Sequence, residues 1–261
     1  MTAILDTDNH KEIIEANLLN RTVFLKSFRD RAVDISRVEI GLQWFVSTFQ
    51  NVLIFDFDTD VSTVMKKIQE VKDQFEGKIE AICCLVHDFS KPNNLKQQLL
   101  QKGFVHADDL VGMSLKLETR NIPVKTSKLN VKKVEDEDSQ NMWVQIICQV
   151  FELEEYKDSF KQVNVEENYA YQHYIGYENG VAVAVISLLL AEGVAGIYWV
   201  GTTEIARGKG YATELMERAH AEAISNGYHV AVLQSSKEGL GLYERLGYKK
   251  DYIEESIEWY E

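Results

Sequence analysis

From His10 to Phe28 the apolar residues Ile13, Ile14, Ala16, Leu18, Leu19, Val23, Phe24 and Leu25 recur at helical spacing, and Asp8 or Asn9 stands where a cap belongs. That predicts a packing helix. Two strand-like runs follow, Val38 to Val46 and Val52 to Phe57, with Gln50-Asn51 as a turn between them. Asp60 to Phe75 is amphipathic and stops near Gly77. Ile79 to Val86 reads as a buried strand, Asn93 to Lys102 as a short helix ending at Gly103, and Gly112 to Leu117 as a further strand. Glu118 to Asn130 is polar around Pro123, and this break divides the chain into two expected domains, 1–122 and 123–261.

The second half opens on a strand, Leu129 to Val134, and the acidic run Glu135-Asp136-Glu137-Asp138, which suits the positive end of a helix. Met142, Trp143, Ile146, Ile147, Val150 and Phe151 form that helix's apolar face. After the acidic segment Glu152 to Glu167, strands Tyr169 to Tyr177 and Val181 to Leu190 flank Glu178-Asn179-Gly180, where Asn-Gly signals a hairpin. A turn at Glu192-Gly193 leads into the apolar strand Gly196-Ile197-Tyr198-Trp199-Val200, and Leu215, Met216, Ala219, Ala223 and Ile224 mark the next helix. Val230 to Leu233 is a strand, Glu238 to Leu246 a helix stopped at Gly247, and Ile253 to Trp259 the last strand. The order β-α-α-β-β-β-α-β-α-β gives a mixed α/β (α+β) fold.

Between strand and helix lies Thr202 to Thr213, whose Gly208 and Gly210 flank Lys209. Glycines let the backbone approach a ligand, and the first N–H groups of the following helix lack partners and carry partial positive charge. That is an anion cradle. Composition supports a packed core, with 45% apolar residues in 261, and no run nears the roughly 18 apolar residues of a membrane span. The first residues hold no basic region before an apolar stretch, so no secretory signal is expected. Cys83 and Cys84 in an apolar run and Cys148 in a helical one read as buried thiols of a cytoplasmic protein, and the six histidines show no metal spacing. A net charge of −13 argues against nucleic acid. Up to Arg120 there are 15 basic and 18 acidic residues, and from Asn121 there are 13 and 23, so the second half carries −10. Such a surface aids solubility and attracts a cationic partner.

Arg207-Gly208-Lys209-Gly210-Tyr211-Ala212 fits the R-x-x-G-x-A loop of the GNAT acyltransferases, and Leu242-Tyr243-Glu244-Arg245-Leu246-Gly247-Tyr248 resembles their late helix with its Leu-Tyr-Glu-x-Leu-Gly-Phe ending. The resemblance covers Leu129 to Glu261 in element order. It implies that backbone N–H groups of Gly208, Lys209, Gly210, Tyr211 and Ala212 hold the pyrophosphate of acetyl-CoA. Thr213 adds a hydroxyl and Arg207 fixes the loop. The strand Trp199-Val200-Gly201-Thr202 would splay and pair with the pantetheine arm, with Val200 N–H as oxyanion donor. Tyr243 would be the general acid that protonates the leaving thiolate. Against these stand plainer readings: a strand-to-helix turn that binds nothing, and a tyrosine that only packs. A dinucleotide-binding loop is a further rival, but the third glycine of its motif is missing.

Many relatives place a glutamate on the strand before the loop, yet Ala195 to Thr203 holds no carboxylate, and Glu204 stands at the loop rim where the family often has proline. The general base is therefore open. His173, on a strand expected to line the acceptor cleft, reads as structural, and His220 and His229 lie on the amphipathic helix and before a strand; Ser236 reads as a helix cap and Ser235 as a candidate for positioning water or substrate. The halves also resemble each other. Leu95 to Phe104 answers Leu240 to Tyr248, with Leu99 at the place of Tyr243, and Asp58-Thr59-Asp60 stands where the cradle would be. The resemblance thus implies two GNAT-like domains, each a mixed, mostly antiparallel sheet flanked by helices, the first degenerate. It implies acetyl transfer from acetyl-CoA, without a metal, to a primary amine of a small molecule or peptide in a ternary complex, in a monomer or homodimer apart from membranes. The alternative is a non-catalytic acyl-CoA-binding or regulatory module.

Overall fold

In the computed structural model, which describes residues 3–29, 36–39, 41–49, 51–117, 128–161, 163 and 169–260, the chain begins with α1 (His10–Lys26), β1 (Ser36–Glu39), β2 (Leu42–Val46) and β3 (Asn51–Phe55). It continues through α2 (Val61–Phe75), β4 (Ala81–His87), α3 (Leu95–Gln101) and β5 (Val105–Lys116). Next come β6 (Asn130–Lys133), α4 (Glu137–Phe151), α5 (Lys157–Lys161), β7 (Ala170–Glu178), β8 (Val181–Ala191) and β9 (Val194–Thr202). The last elements are α6 (Tyr211–Ser225), β10 (Val230–Ser235), α7 (Leu240–Arg245) and β11 (Lys249–Tyr260).

Of the four helices of 15 residues or more among the described residues, three open on a side chain that takes an orphan N–H. Asn9 accepts from Lys11, Asp60 from Thr63 and Asp136 from Ser139, the last within a capping box. The fourth, α6, starts at Gly210 with no side-chain cap.

The segment Val38 to Val46, expected as one strand, is instead the antiparallel hairpin β1/β2, with Glu39 opposite Leu42. It turns at Gly41, whose φ is +86° and where a Cβ would fall 2.6 Å from the Thr59 side chain. Only glycine fits there. The hairpin expected at Asn179-Gly180 forms with both φ angles positive, +51° and +86°. Gln50, residues 118–127 around Pro123, and residues 162 and 164–168 of the acidic segment lie outside the described residues.

Packing groups the chain into two compact units, each made of two segments: Met1–Ser27 with Gly112–Asp251, and Phe28–Val111 with Tyr252–Glu261. A boundary at 122/123 cuts the chain once, whereas these units interleave. In the unit from Phe28, strands lie in the order β1-β2-β3-β4 and then residues 252–260 of β11, antiparallel except for β3/β4, where Leu53 faces Cys83. Helix α2 bridges that parallel pair and buries Val64, Ile68, Val71 and Phe75 against Trp44, Ile54 and Ile82. Cys83 and Cys84 are free thiols inside it, and burial pushes Cys83 up to about 12.

In the other unit residues 112–116 of β5 are followed by β10, β9, β8, β7 and β6, with β9/β10 parallel and β8/β9, β7/β8 and β6/β7 antiparallel. Helix α6 joins that pair and packs on β8 and β9, as do α4 and α1. Ile13 and Ala16 of α1 close a small core with Val194, Val230 and Val232. Each unit therefore carries one parallel strand pair bridged by a helix and followed by a short helix, α3 in one and α7 in the other. Among the described residues no helix is long and apolar enough to cross a membrane.

Candidate active site

Strand β9 carries one residue too many for its partner. Val185 faces Gly201 and Ser187 faces Tyr198, so Trp199 and Val200 together oppose Ile186. This is a bulge, and Trp199 absorbs it with φ +52°. A left-handed non-glycine costs ~1–2 kcal/mol, so packing has to hold it. Phe151 and Phe160 do so, each edge-on to the Trp199 ring at 5.2 Å. On its other side β9 pairs with β10 where Ala195 faces Ala231 and Gly196 faces Val232. Val200 and Thr202, both half-buried, lie beyond that register, towards the loop.

After β9 a 3-10 turn, Glu204–Ala206, leads into an extended, exposed Arg207, and then Gly208 and Gly210 take φ of +76° and +89°. A Cβ added to either would meet nothing within 4 Å. The loop therefore presents bare backbone to open space, and the first N–H groups of α6 at Tyr211, Ala212 and Thr213 add orphan donors and the helix dipole. Lys209, expected to contribute its backbone, also pairs through Nζ with Glu178 at 2.9 and 3.2 Å, and the Tyr211 hydroxyl donates to the same carboxylate. These bonds hold Glu178 below the usual carboxylate range, and the carboxylate pushes Tyr211 up to about 12. The loop is thus tethered to the end of β7 on both sides of Gly210. In the unit from Phe28 the matching helix end is closed, because the Asp60 carboxylate itself occupies the start of α2.

Tyr243 lies on α7, 8% exposed, its hydroxyl pushed up to about 12 by burial. Its ring is edge-on to Tyr248 at 5.9 Å, and the Tyr248 hydroxyl lies 2.8 Å from His220 Nε2. A Cβ on Gly239 would stand 2.9 Å from the Tyr243 ring and 3.3 Å from Ser235 Oγ, so Tyr243 rests against the end of β10. Ser236 Oγ accepts from Gly239 N at 3.3 Å in the turn before α7, whose N-cap is Gly239 and not Ser236 as expected, while Ser235 donates to the Ser236 carbonyl. Leu99, at the corresponding place in α3, is fully buried. His173 is half-buried. Its Nδ1 lies 2.8 Å from Ser187 Oγ, its ring is 4.0 Å from Trp143, and burial lowers its pKa to about 3. Glu204 is exposed at the loop rim.

Val200 and Thr202 lie at the end of β9, the loop Arg207 to Thr213 follows it and Tyr243 follows β10, so each stands at or after the C-terminal end of a strand of the parallel pair, where crossover folds bind ligands. Glu178, which tethers the loop through Lys209 and Tyr211, stands in the sequence only as a turn residue. Among the described residues His106, Asp109 and Glu255 also bring donor atoms within 4.8 Å, but Lys96 already pairs with Glu255 there.

A bulged strand, an uncapped helix start and a buried tyrosine accompany one parallel pair. Residues 140–248 match the Acetyltransferase (GNAT) family. A GCN5-related N-acetyltransferase from Kribbella flavida has a similar structure, with TM-score 0.69 and 16% identity over 95% of this chain and 94% of that one. A second from Sphaerobacter thermophilus gives 0.61 and 12%, over 84% and 76%. A tandem GNAT protein from the clavulanic acid biosynthesis pathway gives 0.62 and 9%, over 84% and 78%. At such identities the likeness is one of fold. No curated protein matches the chain.

Proposed function

We propose that the protein transfers an acetyl group from acetyl-CoA directly to a primary amine of a small molecule or peptide. The observation that carries this reading is the uncapped, side-chain-free start of α6 standing next in the chain to the bulged end of β9. The backbone N–H groups of Gly208 to Ala212 take the pyrophosphate, Thr213 adds its hydroxyl and Arg207 braces the loop. Val200 and Thr202 pair with the pantetheine arm. The acceptor nitrogen attacks the thioester carbon, Val200 N–H stabilises the oxyanion, the C–S bond breaks and the thiolate leaves. With its hydroxyl near 12, Tyr243 stays protonated at neutral pH. Full transfer to a thiolate of ordinary basicity, pKa about 8.5, runs uphill. Its role is then a hydrogen bond to the developing thiolate, completed as acid by the proton the amine gives up.

The −10 charge of the second half favours a cationic acceptor, and the buried free thiols suit the cytoplasm. The repeated parallel pair, with Asp60 closing its helix in one copy, supports a tandem repeat whose first member has lost the cradle. The bare β9, with no carboxylate to serve as base, favours a second reading, an acyl-CoA-binding module without turnover.

Free thiol released from acetyl-CoA against a panel of small amines, amino acids and peptides decides between them. Tyr243→Phe is expected to lower turnover ~10-fold or more, the scale of one hydrogen bond to a charged group, with acetyl-CoA affinity unchanged within twofold. Calorimetric binding with no thiol release across the panel would sink the enzyme reading and leave the binding module.

A further inference from the structure

We propose that α1, from the far end of the chain, is the element that positions the reacting strand, through Asn20 and Phe24 acting on Tyr198; this rests on the acetyl-transfer reading. Asn20 has no solvent exposure. Its Nδ2 donates to the carbonyls of Leu189 (3.3 Å), Ala191 (2.9 Å) and Val194 (3.4 Å), spanning the end of β8 and the start of β9. Its Oδ1 accepts from the Tyr198 hydroxyl at 2.8 Å. The amide reaches this place because residue 196 is glycine: a Cβ there would lie 1.9 Å from Asn20 Oδ1. One turn further along α1, Phe24 stacks on the Tyr198 ring at 3.8 Å with the planes 5° apart, and its centroid lies 6.0 Å from that of Trp199.

Tyr198 is therefore fixed at both ends, its ring by Phe24 and its hydroxyl by Asn20, and it is the last residue in register before the bulge. The next peptide units belong to Trp199, in the left-handed region, and to Val200, whose N–H is the oxyanion donor of the proposed reaction. A strained backbone keeps one geometry only where its neighbours over-determine it. An oxyanion donor is effective only when pre-aimed. Asn20 and Phe24 supply that constraint without touching substrate, so they are positioning residues.

Tyr198→Phe keeps the ring and removes the bond to Asn20. Phe24→Leu keeps an apolar contact and removes the stack. Amide exchange of the segment 197–203, measured in the whole protein, is expected to accelerate at least ~10-fold in both variants. With acetyl-CoA and an accepted amine, kcat is expected to fall ~10-fold or more with KM for acetyl-CoA within twofold of the wild type. Unchanged exchange, or a raised KM with unchanged kcat, would overturn the proposal, since α1 would then be packing alone or would act on cofactor binding. A lower melting temperature with both readouts unchanged overturns it too. If exchange accelerates while the wild type itself releases no thiol, the acetyl-transfer reading has failed and the positioning of the bulge stands.

Discussion

A proton on His173 would have to sit beside the Trp143 and Tyr171 rings and the Ser187 hydroxyl, none of which carries a negative charge. Burial therefore lowers its pKa to about 3. Between the ordinary 6.5 and 3 the unfolded chain binds a proton that the native state refuses, so stability falls as pH falls across that window. One such proton gives a slope of up to about 1.4 kcal/mol per pH unit. His173→Phe removes it, and urea unfolding followed from pH 7 to pH 4 is expected to show a shallower decline than the wild type. Parallel declines would mean that His173 charges freely in the native state. The structural role was legible in the sequence, since a lone strand histidine without a partner in metal spacing suggests packing. The depth of burial was not, because Trp143 reaches it from another element. Tyr243 is the converse case: its motif marked it, while the burial that holds its proton is set by Gly239 and the Tyr248–His220 pair.

Helices α2 and α6 are built alike and differ at their first turn, which decides what each can bind. Asp60 fills the start of α2 with its own carboxylate, whereas Gly210 leaves that of α6 bare. This contrast was readable because it is local: glycines and capping residues act within three or four positions. Gly210→Ala tests it. At φ +89° a side chain costs ~1–2 kcal/mol, and its Cβ points into the space where the phosphates would lie. Denaturation is expected to show that loss, with acetyl-CoA affinity down at least ~10-fold by calorimetry. Gly103→Ala is the control, because it has the same φ and the same open surroundings but follows α3, in the other unit. Equal affinities in the two variants would remove Gly210 from the site. What local pattern could not reveal is the tether. Glu178 reads only as a turn residue, and its partners Lys209 and Tyr211 stand 31 and 33 residues away. The β1/β2 hairpin was missed for a related reason: a single Gly41 amid apolar residues looks like a strand, and what demands glycine is Thr59 from a later loop.

For the molecule as a whole, periodicity shows that α1 packs but not on what. The polar break near Pro123 suggests a boundary in the chain, yet the unit holding β9 and β10 also contains Met1–Ser27. Asn17 and Asn20, unremarkable in an amphipathic helix, are both fully buried, and Asn17 donates to the Met113 carbonyl and accepts from Gln234. A fragment 123–261 lacks these partners. It would leave Val194, Val230 and Val232 without Ile13 and Ala16, and the carbonyls of Leu189, Ala191 and Val194 without the Asn20 amide. It would also lose the β5 edge, where Leu117 N donates to the His229 carbonyl. Buried polar groups stripped of partners cost about 1–3 kcal/mol each, comparable in sum to the whole stability of a domain. The fragment is therefore expected to show no cooperative thermal transition by circular dichroism and to associate on gel filtration. Adding a peptide of residues 3–27 is expected to bring back a transition, because it restores the Asn20 and Ile13 contacts. A fragment that melts cooperatively by itself and binds acetyl-CoA as the full chain does would show that α1 is dispensable, and with it the interleaving of the two units.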